Sequence, residues 1–233
     1  MVATLTSLLE ALTEVGFTPE VRGARELDRT ITDVAFDSRR VRPGGLFVAL
    51  RGAQDDGHDY VKNACRAGAA ALLVEADAEL PEALPGGVTV VAVTNTRQAL
   101  AYVSAAFYGY PSHELTVVGI TGTNGKTTTC WLLEAIAIAA GHAVGVIGTL
   151  GVRWTGQPQR ALSNTTPESL EVQRLLREMA DAGVELVLME VSSHALVTHR
   201  AEGIAFAVGT FTNLSQDHLN FHGTMEAYRD AKL

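Results

Sequence analysis

Apolar and polar positions follow two different patterns along the chain, with a change near residue 112. In the first part, short β-branched runs predict strands, and two amphipathic segments, each followed by a glycine, predict helices. The predicted strands cover 33–37, 46–50, 70–74 and 88–93, and the predicted helices cover 60–67 and 97–108. We therefore expect residues 1–112 to form a small α/β domain, with the polar segment 110–114 as a linker.

From residue 113 onward, apolar runs of strand length alternate with helical patterns, which is typical of a doubly wound parallel sheet. The predicted strands cover 115–120, 144–147, 184–189 and 205–211, and the predicted helices cover 129–140 and 169–182. The chain ends at Leu233 within a predicted helix, although sheets of this type usually continue. Residues 113–233 are therefore expected to form a truncated α/β domain.

Composition and charge narrow the classes of function. The 233 residues are 47% hydrophobic, with a mean hydropathy of +0.14, which is enough for a buried core. The net charge of −8 and the isoelectric point near 5.3 argue against a nucleic-acid partner. Apolar runs stay well short of the roughly 20 residues of a membrane span, so no membrane partner is expected. Two widely spaced cysteines, Cys65 and Cys130, fit a reduced, cytoplasmic compartment.

A glycine-rich turn between a predicted strand and a predicted helix carries the strongest chemical signal. It matches the phosphate-binding pattern G-x-x-x-x-G-K-[ST], except that Ile120 replaces the first glycine. Lys126 would reach the β- and γ-phosphates of a nucleotide, and Thr127 would ligate Mg²⁺. The alternative is an ordinary glycine turn. The residues predicted to bind the nucleotide, through backbone N–H groups or side chains, are Gly122, Thr123, Asn124, Gly125, Lys126, Thr127 and Thr128.

A carboxylate, that of Glu190, follows the apolar run 184–189. The carboxyl ends of parallel strands meet at one edge of a sheet, so this acid is expected beside the phosphate loop. Mg²⁺ usually takes one or two carboxylates together with phosphate oxygens and water. Glu190 is therefore predicted to bind Mg²⁺ or to orient its water. The alternative is an acid at a strand end that faces solvent.

An acid and two imidazoles cluster in the segment 217–222, after the last predicted strand. His218 is a candidate metal ligand, because neutral imidazole commonly binds metal ions. A structural role is equally compatible, in which Asp217 caps a helix and the histidines pack. A hydrolytic zinc site fits less well, because the segment does not have the H-E-x-x-H pattern of such sites.

Two polar segments, 163–167 and 192–200, could hold a substrate. The first offers hydroxyls and an amide at a helix start, where Thr165 or Thr166 could instead simply cap the helix. In the second segment, Arg200 is the best candidate for a bidentate clamp on a carboxylate or phosphate. A serine nucleophile is not supported, because the sequence has no G-x-S-x-G turn.

Together these segments resemble the Mur ligases of peptidoglycan synthesis over the whole chain, in particular the branch that adds the third residue to UDP-N-acetylmuramoyl-L-alanyl-D-glutamate. The Mur form of the phosphate loop also explains Ile120. The matching motifs are 37–39, 43–48, 121–127, 165–167, 189–196 and 217–226. The resemblance implies a UDP-binding N-terminal domain, a P-loop domain that binds ATP, and a ligase that forms an amide through an acyl phosphate.

Residue roles follow from the resemblance position by position. Ser38 would contact the uridine diphosphate end of the substrate. Lys232, on its residue type alone a solvated lysine, matches a lysine that the family carbamylates, and its N6-carboxylate would help to hold a second Mg²⁺. The residues that would serve ATP and two metal ions are Lys126, Thr127, Glu190 and His218. Those that would hold the muramoyl-dipeptide are Asn164, Thr165, Thr166, Ser192, Thr198 and Arg200.

The chain also departs from the family pattern. Thr198 stands where the family often has Gln, and Asn220 stands where it often has Asp. The rest of the central domain and the C-terminal domain that binds the amino acid are absent. The amino acid added, whether diaminopimelate, lysine or another, therefore stays open, and we expect this chain alone to be inactive or nearly so.

Alternatives from other classes make different demands on the residues. A folate-type polyglutamate ligase would need neither Ser38 nor UDP. A nucleotide-binding module would bind nucleotide without ligation. A P-loop hydrolase, with Asp217 and His218 activating water, would release phosphate without an amine acceptor.

Overall fold

The protein divides into two compact units, Met1–Gly109 and Tyr110–Leu233. The division lies close to residue 112, where the hydrophobic pattern changes. The computed structural model describes residues 1–23, 26–52, 55–81, 84–85 and 87–233. In this described part of the chain, no helix has the length and apolar content needed to cross a membrane.

The first unit combines short strands with α-helices. Its strands are β1 (Ala3–Thr4), β2 (Glu20–Gly23), β3 (Thr30–Ile31), β4 (Val34–Ala35), β5 (Leu46–Val48), β6 (Ala71–Glu75) and β7 (Thr89–Val93). Its helices are α1 (Leu5–Glu14), α2 (Val61–Arg66) and α3 (Thr96–Phe107). The main sheet has the order β2-β7-β6-β5-β4, in which β4 to β7 run parallel and β2 runs antiparallel to β7. β1 and β3 form a separate antiparallel pair.

Local sequence explains most of this unit. The predicted strands and helices are present with small shifts at their ends, and Asn95 caps α3 by accepting a hydrogen bond from the Gln98 N–H at 3.0 Å. The prediction omits α1 and the strands β1, β2 and β3. Leu5, Leu8 and Leu12 give α1 a buried face at helical spacing, and Thr4 accepts a hydrogen bond as its N-cap.

The second unit is built on a mixed sheet that carries the predicted phosphate loop. Its strands are β8 (Thr116–Thr121), β9 (Val144–Gly148), β10 (Gly151–Trp154), β11 (Gln157–Arg160), β12 (Leu186–Glu190) and β13 (Phe206–Phe211). Its helices are α4 (Lys126–Ala139), α5 (Ser169–Asp181), α6 (Ser193–Val197), α7 (Leu219–His222) and α8 (Met225–Asp230). The sheet order is β11-β10-β9-β12-β8-β13, with β9, β12, β8 and β13 parallel.

The structure corrects the prediction in several places, one of which is the end of the chain, where α8 stops at Asp230 and does not continue to Leu233. β10 and β11 form an antiparallel hairpin where no strand is predicted, because the exposed polar run of β11 lacks an apolar pattern. α4 begins at Lys126 rather than at residue 129, because Gly125 supplies the left-handed turn that starts the helix. The segment 110–114 is not a solvated linker. Pro111 and Ser112 are buried, and the Ser112 hydroxyl accepts a hydrogen bond from the Ala205 N–H at 3.0 Å.

Apolar residues cover both faces of the parallel strands, as expected for a doubly wound sheet. On β12, Leu188 packs into the cluster that contains Ile120 and Cys130 of the α4 side. Its neighbour Met189 packs into the other cluster, beside Leu176 of α5. This alternation fixes the direction in which each strand end presents its side chains.

Candidate active site

The predicted phosphate loop joins β8 to α4 at the carboxyl edge of the sheet. Gly122 has a φ of 136° and Gly125 a φ of 85°, values that favour glycine. A Cβ at Gly122 would lie 2.0 Å from Thr212 Oγ1, so the close approach of the chain after β13 also requires glycine there. Gly125 is the N-cap of α4 and has no side chain to cap it, so the first N–H groups of the helix are available to an anion.

Residues after β13 hold the loop in shape. The Thr123 N–H donates to the Asn213 carbonyl at 2.9 Å, and the Asn124 N–H donates to Asn213 Oδ1 at 3.1 Å. The Thr212 hydroxyl donates to the Asn124 carbonyl at 2.7 Å. The sequence prediction missed Thr212 and Asn213 as site residues. In the sequence, the one feature that could have pointed to them is their position directly after the predicted strand 205–211, which the structure pairs with β8.

Two lysines converge on this loop. Lys126 Nζ donates to the carbonyls of Gly122 at 2.8 Å and Thr123 at 2.9 Å. Lys232 Nζ donates to the same Gly122 carbonyl at 3.1 Å. Lys232 is only 8% exposed, so the solvated-lysine alternative is wrong. Burial, followed by the neighbouring charge of Lys126, lowers the pKa of Lys232 to about 8, and Asp217 partly opposes the change.

Glu190 lies at the end of β12, beside the loop, and is 2% exposed. Its Oε2 accepts hydrogen bonds from Thr127 Oγ1 at 2.9 Å and from Thr149 Oγ1 at 3.1 Å. Its Oε1 accepts from the Thr149 N–H at 3.0 Å. The solvent-facing alternative is therefore wrong, and the two side chains predicted to serve Mg²⁺ at the loop lie together. Thr149 is a further site residue that the sequence prediction missed.

The polar segment before α5 connects to the same acid. Thr165 Oγ1 lies 3.1 Å from Thr149 Oγ1. The buried Thr166 hydroxyl donates to the Glu190 carbonyl at 2.9 Å and accepts from the Ser192 N–H at 3.0 Å. Capping by Thr165 or Thr166 is wrong, because the N-cap of α5 is Glu168. Asn164 is exposed beside them.

Arg200 lies behind this segment, after α6. Its Nε pairs with Glu168 Oε1 at 3.0 Å, and its NH1 donates to the Thr166 carbonyl at 3.2 Å. Ser192 caps α6 by accepting a hydrogen bond from the Ala195 N–H at 3.2 Å. Thr198 donates to the His194 carbonyl at 2.6 Å. These bonds place Arg200 and Ser192 around Thr166, whereas Thr198 bonds within α6.

His218 belongs to a cluster of aromatic rings. Its ring centroid lies 4.8 Å from that of His194 and 6.3 Å from that of Tyr228. Its Nε2 lies 3.5 Å from Asp217 Oδ2. Burial, then the charge of His218, lowers the pKa values of His194 and His222. The histidines therefore pack against other rings, as the structural alternative expects. The other part of that alternative is wrong: Asp217 accepts a hydrogen bond from the His218 N–H, and the N-cap of α7 is His218.

The donors at the loop suit a magnesium ion bound to a phosphate. A hydroxyl from Thr127 and a carboxylate from Glu190 lie side by side, which leaves most ligand positions to phosphate oxygens and water. Among the residues that the structure describes, no three His, Cys, Asp or Glu side chains are grouped so as to hold a metal ion. The hydroxyl and the carboxylate fit an ion whose other ligands are phosphate oxygens and water.

Ser38 lies in the first unit, after β4. It begins a short 3₁₀ helix, Ser38–Arg40, which Asp37 caps by accepting a hydrogen bond from the Arg39 N–H at 3.0 Å. Asp37 also pairs with the Arg39 guanidinium at 2.8 Å, which lowers the pKa of the Asp37 carboxyl. These bonds fix the turn that presents the half-buried Ser38.

Family models match both units. The model described as Mur ligase family, catalytic domain, matches residues 30–108, and the model described as Mur ligase middle domain matches residues 120–233. Relatives named UDP-N-acetylmuramoyl-L-alanyl-D-glutamate--2,6-diaminopimelate ligase match most of the chain. The relative from Geobacillus thermodenitrificans is 48% identical over 87% of this chain and 40% of its own length. That from Chlorobaculum tepidum is 46% identical over 99% of this chain and 44% of its own length.

Solved structures agree with the sequence matches. A structure of a ligase of the same name covers all of this chain and 44% of its own, with 26% identity and a TM-score of 0.78. MurF from Acinetobacter baumannii shares the fold, with 21% identity and a TM-score of 0.62 over all of this chain and 45% of its own. The chain thus spans less than half the length of these relatives. With both family models matched and the predicted α/β and P-loop architecture confirmed, the chain belongs to the Mur ligase family.

Proposed function

We propose that this chain supplies the UDP-sugar-binding and ATP-binding parts of a ligase that joins an amino acid to UDP-N-acetylmuramoyl-L-alanyl-D-glutamate in the cytoplasm. Residues 1–112 would bind the UDP end through Ser38, and residues 113–233 would bind ATP. The relatives that match most of the chain carry diaminopimelate in their names, so diaminopimelate is the proposed amino acid. It would be bound by a C-terminal domain that lies outside this chain.

One observation carries the ATP half of the proposal: Thr127 Oγ1 contacts Glu190 Oε2 at 2.9 Å, directly beside the phosphate loop. The loop amides and Lys126 would bind the β- and γ-phosphates of ATP. Thr127 and Glu190 would hold Mg²⁺, which would neutralise phosphate charge when bound. The protein's share in phosphoryl transfer is then positioning and fixed positive charge.

The substrate half rests on the path of hydrogen bonds from Glu190 to the segment 163–167. Thr149 and Thr166 connect the acid to Thr165 and Ser192, so the proposed dipeptide site adjoins the proposed phosphate site. A D-Glu carboxylate held there could receive the γ-phosphoryl group to form an acyl phosphate. The amine of the incoming amino acid would attack that carbonyl, and phosphate would leave with the former carboxylate oxygen.

The surroundings of Lys232 support its proposed carbamylation. Carbamate formation needs a neutral amine, which attacks CO₂ and loses a proton. A pKa lowered to about 8 leaves a larger neutral fraction than an ordinary lysine has. Conversion to an anion would also remove the repulsion between the two ammonium groups that share the Gly122 carbonyl.

Calorimetric titration tests this function on the chain itself. UDP-N-acetylmuramoyl-L-alanyl-D-glutamate should bind, and the same compound without D-Glu should bind more weakly. Arg200→Ala should weaken the binding of only the compound that carries D-Glu, and Ser38→Ala should weaken the binding of both compounds. Equal binding of the two compounds would contradict the proposed third-residue step. ATP binding without binding of either compound would favour a nucleotide-binding module.

A further inference from the structure

We propose that Tyr228 is a positioning residue for the phosphate loop, with its hydroxyl holding Thr123 and its ring supporting Lys232. Tyr228 lies on α8, is 1% exposed, and is the largest of the fully buried side chains among the described residues. A phenol that is buried this deeply normally directs its hydroxyl to a specific partner. Nothing in the local sequence 225–230 marks Tyr228 as part of the site.

The hydroxyl of Tyr228 meets Thr123 in the middle of the loop. The two side-chain oxygens lie 3.0 Å apart. Thr123 Oγ1 also accepts from the Ser215 N–H at 3.0 Å and lies 3.1 Å from the Ser215 carbonyl, to which it can donate. A threonine hydroxyl has one hydrogen and two lone pairs, so with its hydrogen on Ser215 it accepts from Tyr228. Thr123 is then fully satisfied, with α8 and the chain after β13 on two sides of it.

The ring of Tyr228 lies under the ammonium group of Lys232. Lys232 Nζ is 4.8 Å from the ring centroid, within the range of a cation–π contact. The same ammonium donates to the Gly122 carbonyl at 3.1 Å. On another side, the ring packs against His222, with centroids 5.0 Å apart. One side chain therefore contacts the residue beside Gly122 and supports the lysine that bonds to Gly122.

These contacts join α8 to the loop. The Thr123 and Asn124 N–H groups point at Asn213, which they can do only while the turn keeps its shape. Tyr228 stabilises that shape through its contact with the Thr123 hydroxyl. The consequence for nucleotide affinity rests on the proposed function, whereas the effect on the loop itself does not.

Amide hydrogen exchange of the nucleotide-free chain tests the effect on the loop. Tyr228→Phe removes the hydroxyl and keeps the ring. Loss of one such hydrogen bond corresponds to about a fivefold change in an opening equilibrium, so the Thr123 and Asn124 amides should exchange about fivefold faster. Tyr60→Phe, a half-exposed tyrosine of the first unit, should leave these rates unchanged. Unchanged rates in Tyr228→Phe would overturn the inference.

Titration with ATP and Mg²⁺ tests the consequence for binding. Tyr228→Phe should raise the Kd for ATP by about fivefold, with Tyr60→Phe as the control. Tyr228→Leu also removes the ring, so Lys232 should react faster with an amine-modifying reagent than it does in Tyr228→Phe. If Tyr228→Leu does not fold, the exchange rates of Tyr228→Phe decide alone. Failure of the unsubstituted chain to bind ATP would contradict the proposed function. The exchange rates of the Thr123 and Asn124 amides would then decide whether Tyr228 positions the loop.

Discussion

The carboxylate of Glu190 lies close to Gly148, at the end of the neighbouring strand. A Cβ at residue 148 would be 2.2 Å from Glu190 Oε1 and 2.8 Å from Cδ. The acid needs this space because β9 and β12 are adjacent parallel strands whose ends meet at the site. The lack of a side chain at Gly148 therefore determines the position of the Glu190 carboxylate as much as its hydrogen-bond donors do.

Gly148→Ala should weaken binding of ATP with Mg²⁺ while the chain still folds. The new methyl group would push the Glu190 carboxylate away from Thr127 and Thr149, because the end of the Glu190 side chain can move more easily than the backbone of residue 148. We expect the Kd to rise at least about tenfold, in line with the loss of hydrogen bonds to a charged group. Gly209→Ala is the matched control, because within the described part of the chain a Cβ there meets nothing within 4 Å. Similar affinities for the two variants would refute the prediction.

Lys126→Ala should reduce the affinity for ATP by a larger factor. Lys126 Nζ donates to two loop carbonyls, which hold it at the loop, and it would donate to the phosphate oxygens of bound ATP. Hydrogen bonds to charged groups contribute about 1.5–3 kcal/mol, which corresponds to roughly a 10- to 100-fold rise in Kd. Lys62→Ala, at an exposed position on α2, should bind ATP as the unsubstituted chain does. An effect no larger than that of Lys62→Ala would exclude the assigned role.

The parts of the site that the sequence predicted are those with a strong local pattern. The glycine turn with Lys126 and Thr127, and Glu190 at the end of an apolar strand, need only parallel pairing of β8 with β12 to meet. Thr149 and Asn213 are single polar residues at strand ends, and nothing around them in the sequence distinguishes them from ordinary loop residues. Their roles arise from the order of the strands in the sheet, which brings β9 and β13 to the same edge.

Contacts between distant segments were the least predictable. The ion pair of Arg200 with Glu168 joins the end of α6 to the start of α5. Burial of Lys232 depends on α8 folding back over the loop, and the local pattern gives no hint of it, whereas the resemblance to the Mur ligases had assigned this lysine to the site. The fold class followed from hydrophobic periodicity alone, whereas these contacts depend on tertiary packing that periodicity does not encode.

Thr149→Val should weaken ATP binding by removing one of the hydroxyl donors to Glu190 and the contact with Thr165. The backbone N–H of Thr149 still donates to the acid, so we expect a rise in Kd of about three- to tenfold. Thr89→Val is a suitable control, since the buried Thr89 hydroxyl has no hydrogen-bond partner to lose among the residues that the structure describes. An equal affinity of both variants for ATP would show that Thr149 does not help to position Glu190.

Lys232 should make stability depend on pH in an unusual direction. Its pKa falls from 10.5 in the unfolded chain to about 8 in the folded chain, so between these values the unfolded state binds more protons. The free energy of unfolding contributed by this lysine should therefore rise as the pH increases from about 8 to 10.5, and be constant below that window. Lys232→Met should remove the rise, whereas Lys62→Met should retain it. Urea unfolding at several pH values in CO₂-free buffer, which keeps the Lys232 amine free of carbamate, measures the difference. Parallel pH profiles for Lys232→Met and the unsubstituted chain would show that the folded protein does not lower this pKa.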